Sequence, residues 1–264
     1  MHVAPAGFTF VPGTDRVTAT AIVFDVTREG GGGLVYVCKR LGARAREEQW
    51  VRDRLAAEGK LLERLGGRGT PELIAAGEDG GGPWIVMGRV AGRPLSRCMG
   101  TSETSWIERA ARHAFVALAG LHEAGVLHAD LNPDNVIVAD DAHAATILDF
   151  GLARWPGAPP MPHGPFRGTL AYAAPELVRG EPFDVRADVF ALAATLLHVA
   201  SGEVPRAQET PAAMLLAAGD TGIEPWAARS GKSLSPALAA VLTRCCAFDP
   251  AARPATAREV ASCY

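Results

Sequence analysis

The 264-residue chain is β-rich in its first third and helical in the remainder, and that shift restricts the fold more than any single motif does. Residues 8–41 are rich in β-branched and aromatic side chains. Phe8-Thr-Phe-Val comes first, then Thr18 to Thr27 with Ile22, Val23, Phe24 and Val26, then Leu34-Val-Tyr-Val-Cys-Lys39. Three antiparallel strands are the natural reading, and Trp84-Ile-Val-Met87 reads as another. From Arg44 to Leu65 the period becomes helical, with Val51, Leu55, Leu62 and Leu65 on one stripe. Nearly everything from Ser105 onward is helical, interrupted by Gly and Pro. Ser105 and Glu108 have the spacing of a capping box, and Gly125 can close that helix in the left-handed conformation. The pattern implies an α+β chain of two lobes.

Several features are decoys. Gly30 to Gly33 and Gly80 to Gly82 sit between strand patterns and read as hairpin turns rather than phosphate-binding loops. Val189 to Ala200 is the longest apolar run, but at about a dozen residues it is too short for a bilayer, which needs roughly 20. It reads as a buried core helix. Trp155 to Phe166 holds five prolines and can be neither helix nor central strand. A net charge of −3 supplies no basic field, so neither a nucleic-acid nor a membrane partner is expected. The five cysteines contain no C-x-x-C pair, which argues against a disulfide framework or a zinc site. With no basic and apolar leader at its start, the chain is expected in a reducing, cytoplasmic setting.

Two features ask for partners. Glu58 falls on the apolar stripe of its helix, where a carboxylate needs a cation from the neighbouring sheet. Among 26 basic residues only Lys39, Lys60 and Lys232 are lysines, so a lysine at the end of a core strand is notable. Further on, His128-Ala-Asp-Leu-Asn-Pro-Asp-Asn135 leads into Val-Ile-Val, and Asp149-Phe-Gly begins fourteen residues after Asn135. Asp130, Asn135 and Asp149 are hard oxygen groups of the kind that hold Mg²⁺ on phosphates or orient a hydroxyl.

With these motifs the sequence resembles the protein kinase superfamily, in its bacterial, eukaryotic-like serine/threonine branch, over essentially the whole length. The resemblance implies a single bilobal domain over 1–264. Residues 1–90 would form an antiparallel β lobe with one main helix, and 91–264 a larger, mainly α-helical lobe. ATP and Mg²⁺ would be the cofactors, and a protein bearing a Ser or Thr acceptor the substrate. Val37-Cys-Lys39 resembles the family's third-strand lysine motif, with Glu58 as the lysine's partner and the pair set against the α- and β-phosphates. Asp130 would steer the substrate hydroxyl, and Asn135 and Asp149 would bind the metal. The adenine would lie between Val37 and Ile137, with Met87 as gatekeeper and Gly88 to Val90 as hinge. His128 and Asp188 would support the catalytic loop, and Glu176 would pair with Arg253.

Three departures accompany the resemblance. The glycine-rich loop is reduced to Gly13-Thr-Asp-Arg-Val, which would cradle phosphates poorly. Asn132 replaces the lysine usually found two residues after the catalytic aspartate, where it would share in catalysis at the γ-phosphate. Ala129 replaces the arginine that receives an activation-loop phosphate, and no Ser, Thr or Tyr lies between Asp149 and Thr169. Control by activation-loop phosphorylation is therefore not expected. A pseudokinase scaffold and a small-molecule kinase stand as alternatives; the Gly168 to Glu176 segment, Asp188 and Arg253 argue for a protein substrate. Oligomeric state is open.

Overall fold

The computed structural model describes residues 4–18, 20–100, 103–159, 166–208, 210–220, 222–230 and 234–263. The chain divides into two compact units, Met1–Val90 with Gly157–His163, and Ala91–Pro156 with Gly164–Tyr264.

The first unit is built on an antiparallel sheet of β1 (Phe8–Phe10), β2 (Arg16–Val17), β3 (Ala21–Arg28), β4 (Val35–Leu41), β5 (Leu73–Asp79) and β6 (Gly82–Gly88). The order is β1-β3-β4-β6-β5, with β2 also on β3. Gly30 and Gly32 adopt positive φ between β3 and β4, as a hairpin there requires. Strand β5 carried no clear sequence signal, because Ala75-Ala-Gly-Glu-Asp79 lacks β-branched residues. It is an edge strand, specified by its pairing with β6.

Directly opposed residues of neighbouring strands share a face. Phe24, Cys38 and Val86 make one such row and form the sheet's core with Val26. Val23, Lys39 and Ile85 lie on the other face, as do Asp25, Val37 and Met87. Helix α1 (Gln49–Leu65) follows a short 3₁₀ turn at Ala45–Glu47, so the helical pattern from Arg44 splits in two. Gly59 lets α1 approach the sheet: a Cβ there would stand 3.1 Å from Ile85 Cγ2 and 3.2 Å from Ala76 Cβ. The helix ends at Gly66, in the left-handed region at φ 58°.

In the second unit β7 (Arg93–Pro94), β8 (Val136–Val138) and β9 (Ala145–Ile147) form a small antiparallel sheet. The helices are α2 (Thr104–Glu123), α3 (Pro175–Val178), α4 (Val185–Ser201), α5 (Pro211–Asp220), α6 (Glu224–Ser230), α7 (Pro236–Cys245) and α8 (Ala257–Ala261). Every residue of α4 from Ala187 to Ala200 is buried, as its apolar run predicts. Among the described residues no helix is long and apolar enough to cross a membrane.

The capping box expected at Ser105 does not form. Glu103 occupies the cap, and the Ser105 hydroxyl donates to Glu103 Oε1 at 2.9 Å. Tertiary contacts set this start: Trp106 Nε1 donates to the Asp140 carbonyl at 3.1 Å and Arg109 Nε to that of Asp141 at 3.2 Å. Gly125 does take the left-handed conformation after the helix, at φ 73°. Most of the proline-rich segment, residues 160–165, lies outside the described residues.

Candidate active site

In the first unit Lys39 projects from β4 toward α1, and Glu58 projects from α1 to meet it. Lys39 Nζ donates to Glu58 Oε1 at 2.9 Å and to Oε2 at 2.8 Å, with both residues buried. The carboxylate that the helical stripe placed on the inward side thus finds its cation nineteen residues away in sequence. One turn before Glu58, the buried Arg54 donates from Nη1 to the Pro159 carbonyl at 3.1 Å, tying α1 to the start of the proline-rich segment.

Val37 and Met87 stand opposite one another on β4 and β6, and Asp25 completes their row from β3. Sequence reasoning missed Asp25. It is a buried carboxylate paired with Arg89, which lies in the expected hinge just before Val90. Only the partner's position explains it, since an isolated Asp within a strand gives no warning. Gly13 occupies the turn between β1 and β2, at φ 78°, and not the β2–β3 hairpin. Thr14 fastens that turn: its hydroxyl donates to the Val11 carbonyl at 2.7 Å and accepts from the Asp25 amide at 2.9 Å.

In the second unit Asp130, Asn132, Asn135, Asp149 and Thr169 line one cleft of about 560 Å³. Ile137 lies on β8, just beyond. Backbone strain brings the acidic groups here: Ala129 and Asp149 hold φ of 63° and 60°, in the left-handed region that a side chain disfavours. Asp188, at the first turn of α4, clamps the loop by accepting from the His128 and Ala129 amides, both at 2.8 Å. Burial alone would push the Asp188 carboxyl up. The hydrogen bond and charge of His122, helped by those of His128, outweigh it and hold the carboxyl below its ordinary value. His128 is fully buried, its Nε2 on the Leu148 carbonyl at 2.8 Å, in a scaffold position.

Asp130 Oδ1 accepts from the Thr169 amide at 2.8 Å and from its hydroxyl at 2.9 Å. Its Oδ2 has no partner among the described residues. Burial pushes the carboxyl up from the ordinary value of 3.8, and the two Thr169 bonds pull against that rise. Asn132 is buried and threefold bonded. Its Nδ2 donates to the Asp130 carbonyl at 3.1 Å and to Thr169 Oγ1 at 3.2 Å, and its Oδ1 accepts from the Asp134 amide at 3.0 Å. Asn135 Nδ2 donates to the same Asp130 carbonyl at 2.9 Å. Thr169 is the residue here that motif reading left without a role; its only signal was its place next to Gly168 at the start of a segment read as structural. Further along, Arg253 reaches Glu176 through two bonds of 2.6 and 3.0 Å, both residues buried.

The sheet unit thus holds a buried lysine–glutamate pair and the helical unit a clamped aspartate loop, and sequence comparison supplies the family. The family model of the protein kinase domain matches residues 19–264, and the chain belongs to that family. Among its relatives, the serine/threonine-protein kinase PknL of Mycobacterium tuberculosis is 33% identical over 172 residues, 61% of this chain and 41% of PknL. PknJ of the same organism is 30% identical over 253 residues, 88% of this chain and 42% of PknJ. The probable serine/threonine-protein kinase PkwA of Thermomonospora curvata is 29% identical over 197 residues, 68% of this chain and 26% of PkwA. The chain spans less than half the length of these relatives.

Proposed function

We propose that this chain transfers the γ-phosphoryl group of ATP to Ser and Thr hydroxyls of proteins, with Mg²⁺ as the metal. The observation that carries the reading is Asp130, which lines the cleft: one carboxylate oxygen is fixed by Thr169, and the other has no partner among the described residues, able to accept the proton of an incoming hydroxyl. Its raised pKa makes it a better proton acceptor than an ordinary surface aspartate once ionised.

The donor set fits a hard divalent cation. Asp149 brings a carboxylate into the cleft, and Asn135 spends its amide nitrogen on the Asp130 carbonyl, which leaves its oxygen for a metal. When bound, Mg²⁺ supplies charge neutralisation on the phosphates. Lys39, held by Glu58, would fix the α- and β-phosphates, while Val37, Met87, Val90 and Ile137 would bound the adenine. In place of the lysine's charge at position 132, Asn132 supplies hydrogen bonds that order Asp130 and Thr169.

The same reading dispenses with a phosphorylated activation segment. Arg54 already bonds the Pro159 carbonyl, and no hydroxyl residue lies between Asp149 and Thr169. The buried Lys39–Glu58 pair has no use in a bare scaffold, which weighs against the pseudokinase alternative. Incubation with γ-labelled ATP, Mg²⁺ and dephosphorylated casein, followed by phosphoamino-acid analysis, tests the proposal. Phosphoserine or phosphothreonine that is lost in Asp130→Asn supports it. Absence of protein-bound label, or label unaffected by Asp130→Asn, overturns it.

A further inference from the structure

Two buried arginines lie near the Phe190 ring of α4, and they differ in kind. The Arg253 guanidinium carbon is 4.8 Å from the ring centroid and that of Arg206 is 5.2 Å away. Arg253 is satisfied on every side. Its Nε donates to the Ala247 carbonyl, Nη1 to Glu176 and the Arg186 carbonyl, and Nη2 to Glu176 and the Phe248 carbonyl. That is an arginine placed for stability.

Arg206 is 8% exposed and has no such surroundings. Nη1 donates to the Ala173 carbonyl at 2.6 Å and reaches the Leu170 carbonyl at 3.4 Å, while Nε and Nη2 have no hydrogen-bond partner among the described residues. The nearby carboxylate, Glu176, is already engaged by Arg253 on both oxygens. The Arg206 backbone, at φ 52°, is also in the left-handed region. A buried guanidinium with unmet donors on a strained backbone is disfavoured against an apolar side chain of similar volume. Such a residue persists where something else depends on it.

What depends on it is the turn it holds. Leu170 lies within, and Ala173 directly after, the bend closed by the Tyr172 amide on the Thr169 carbonyl at 3.1 Å, and Thr169 is the residue that fixes Asp130 Oδ1. We propose that Arg206 is a positioning residue for catalysis: by holding the Leu170 and Ala173 carbonyls from beneath, it presents the Thr169 amide and hydroxyl to Asp130. This inference rests on the proposed phosphotransfer for its kinetic consequence, but its structural consequence stands alone.

The test compares wild type, Arg206→Met, Arg206→Gln and Arg206→Lys by hydrogen–deuterium exchange over residues 167–174 and over α4, alongside initial rates on a protein substrate. In Arg206→Met the Thr169 and Tyr172 amides should exchange at least about tenfold faster while those of α4 stay unchanged. kcat should fall about tenfold with KM for ATP within about twofold, since the change lies in the acceptor turn. Arg206→Lys, which keeps a cationic donor, should recover much of the protection. Unaltered exchange at Thr169 and Tyr172, or loss spread equally through α4, would overturn the role. Should Arg206→Met not fold, the same comparison is read in Arg206→Gln. If wild type transfers no phosphate, the proposed function fails, and the exchange pattern decides Arg206 by itself.

Discussion

The two units hold their central carboxylates in opposite ways. Glu58 meets a full positive charge, with both oxygens on Lys39 in a buried setting. Asp130 meets neutral donors on one oxygen only, and burial drives its pKa up. The first arrangement spends the carboxylate on orienting a lysine; the second leaves one oxygen of a cleft-lining carboxylate without a partner among the described residues. The lesson is that the sheet unit supplies a fixed charge and the helical unit a fixed geometry, and each should fail differently when disturbed.

Breaking the charge pair should do the most. Lys39→Ala strips Glu58 of its lysine, so stability should drop by about 3–5 kcal/mol in denaturant melts. kcat/KM should drop at least about a hundredfold, roughly 2.7 kcal/mol. Asp149→Ala should match that kinetic loss, because it removes a carboxylate that lines the cleft. Wild-type-like rates in either variant would remove the assignment of these residues.

Disturbing the geometry should cost less. Thr169→Val keeps the amide bond to Asp130 but removes the hydroxyl, and kcat should fall about tenfold, near 1.4 kcal/mol. The family resemblance suggests that Asn132→Lys would restore a cation and raise kcat. The structure reverses that expectation, because the substitution breaks the bonds to the Asp130 carbonyl, Thr169 and the Asp134 amide. A fall of about fivefold, roughly 1 kcal/mol, is expected, and a gain in rate would show that charge outweighs geometry here.

The pH dependence sharpens the contrast further. In the proposed reaction Asp130 acts ionised, and its pKa is raised above 3.8, so activity should be lost as pH falls through a value higher than that of a free aspartate. The Thr169 hydrogen bonds favour the ionised form. Removing one in Thr169→Val should move the acidic limb to higher pH still, an outcome that a merely loosened fold would not produce. The smallest effect is none: phosphatase treatment should leave activity unchanged. A large fall that returns on rephosphorylation within residues 149–176 would contradict the proposal that activity needs no phosphorylated activation segment.

How much was legible depended on how local the signal was. The β-to-helix change, the buried α4 run and the left-handed Gly125 follow from side-chain periodicity and backbone sterics within a few residues. Glu58 announced its need for a cation because a carboxylate on an apolar stripe is costly alone. Edge strand β5, the Glu103 cap and the Asp25–Arg89 pair were silent, since each is specified by what it meets and not by its own residues: β5 by the neighbouring β6, Asp25 by an arginine on a distant segment.

The sequence by itself determined that this chain is an α+β protein carrying Lys39, Glu58, Asp130, Asn135 and Asp149 at spacings that resemble a protein kinase. It also determined that no hydroxyl residue separates Asp149 from Thr169. Only the tertiary structure decided that Thr169 fixes Asp130, that Asn132 works through neutral hydrogen bonds, and that Arg206 is buried on the Leu170 and Ala173 carbonyls with donors unmet among the described residues. Motifs record residue types along a line, whereas hydrogen-bond satisfaction is settled in space by groups the line keeps apart.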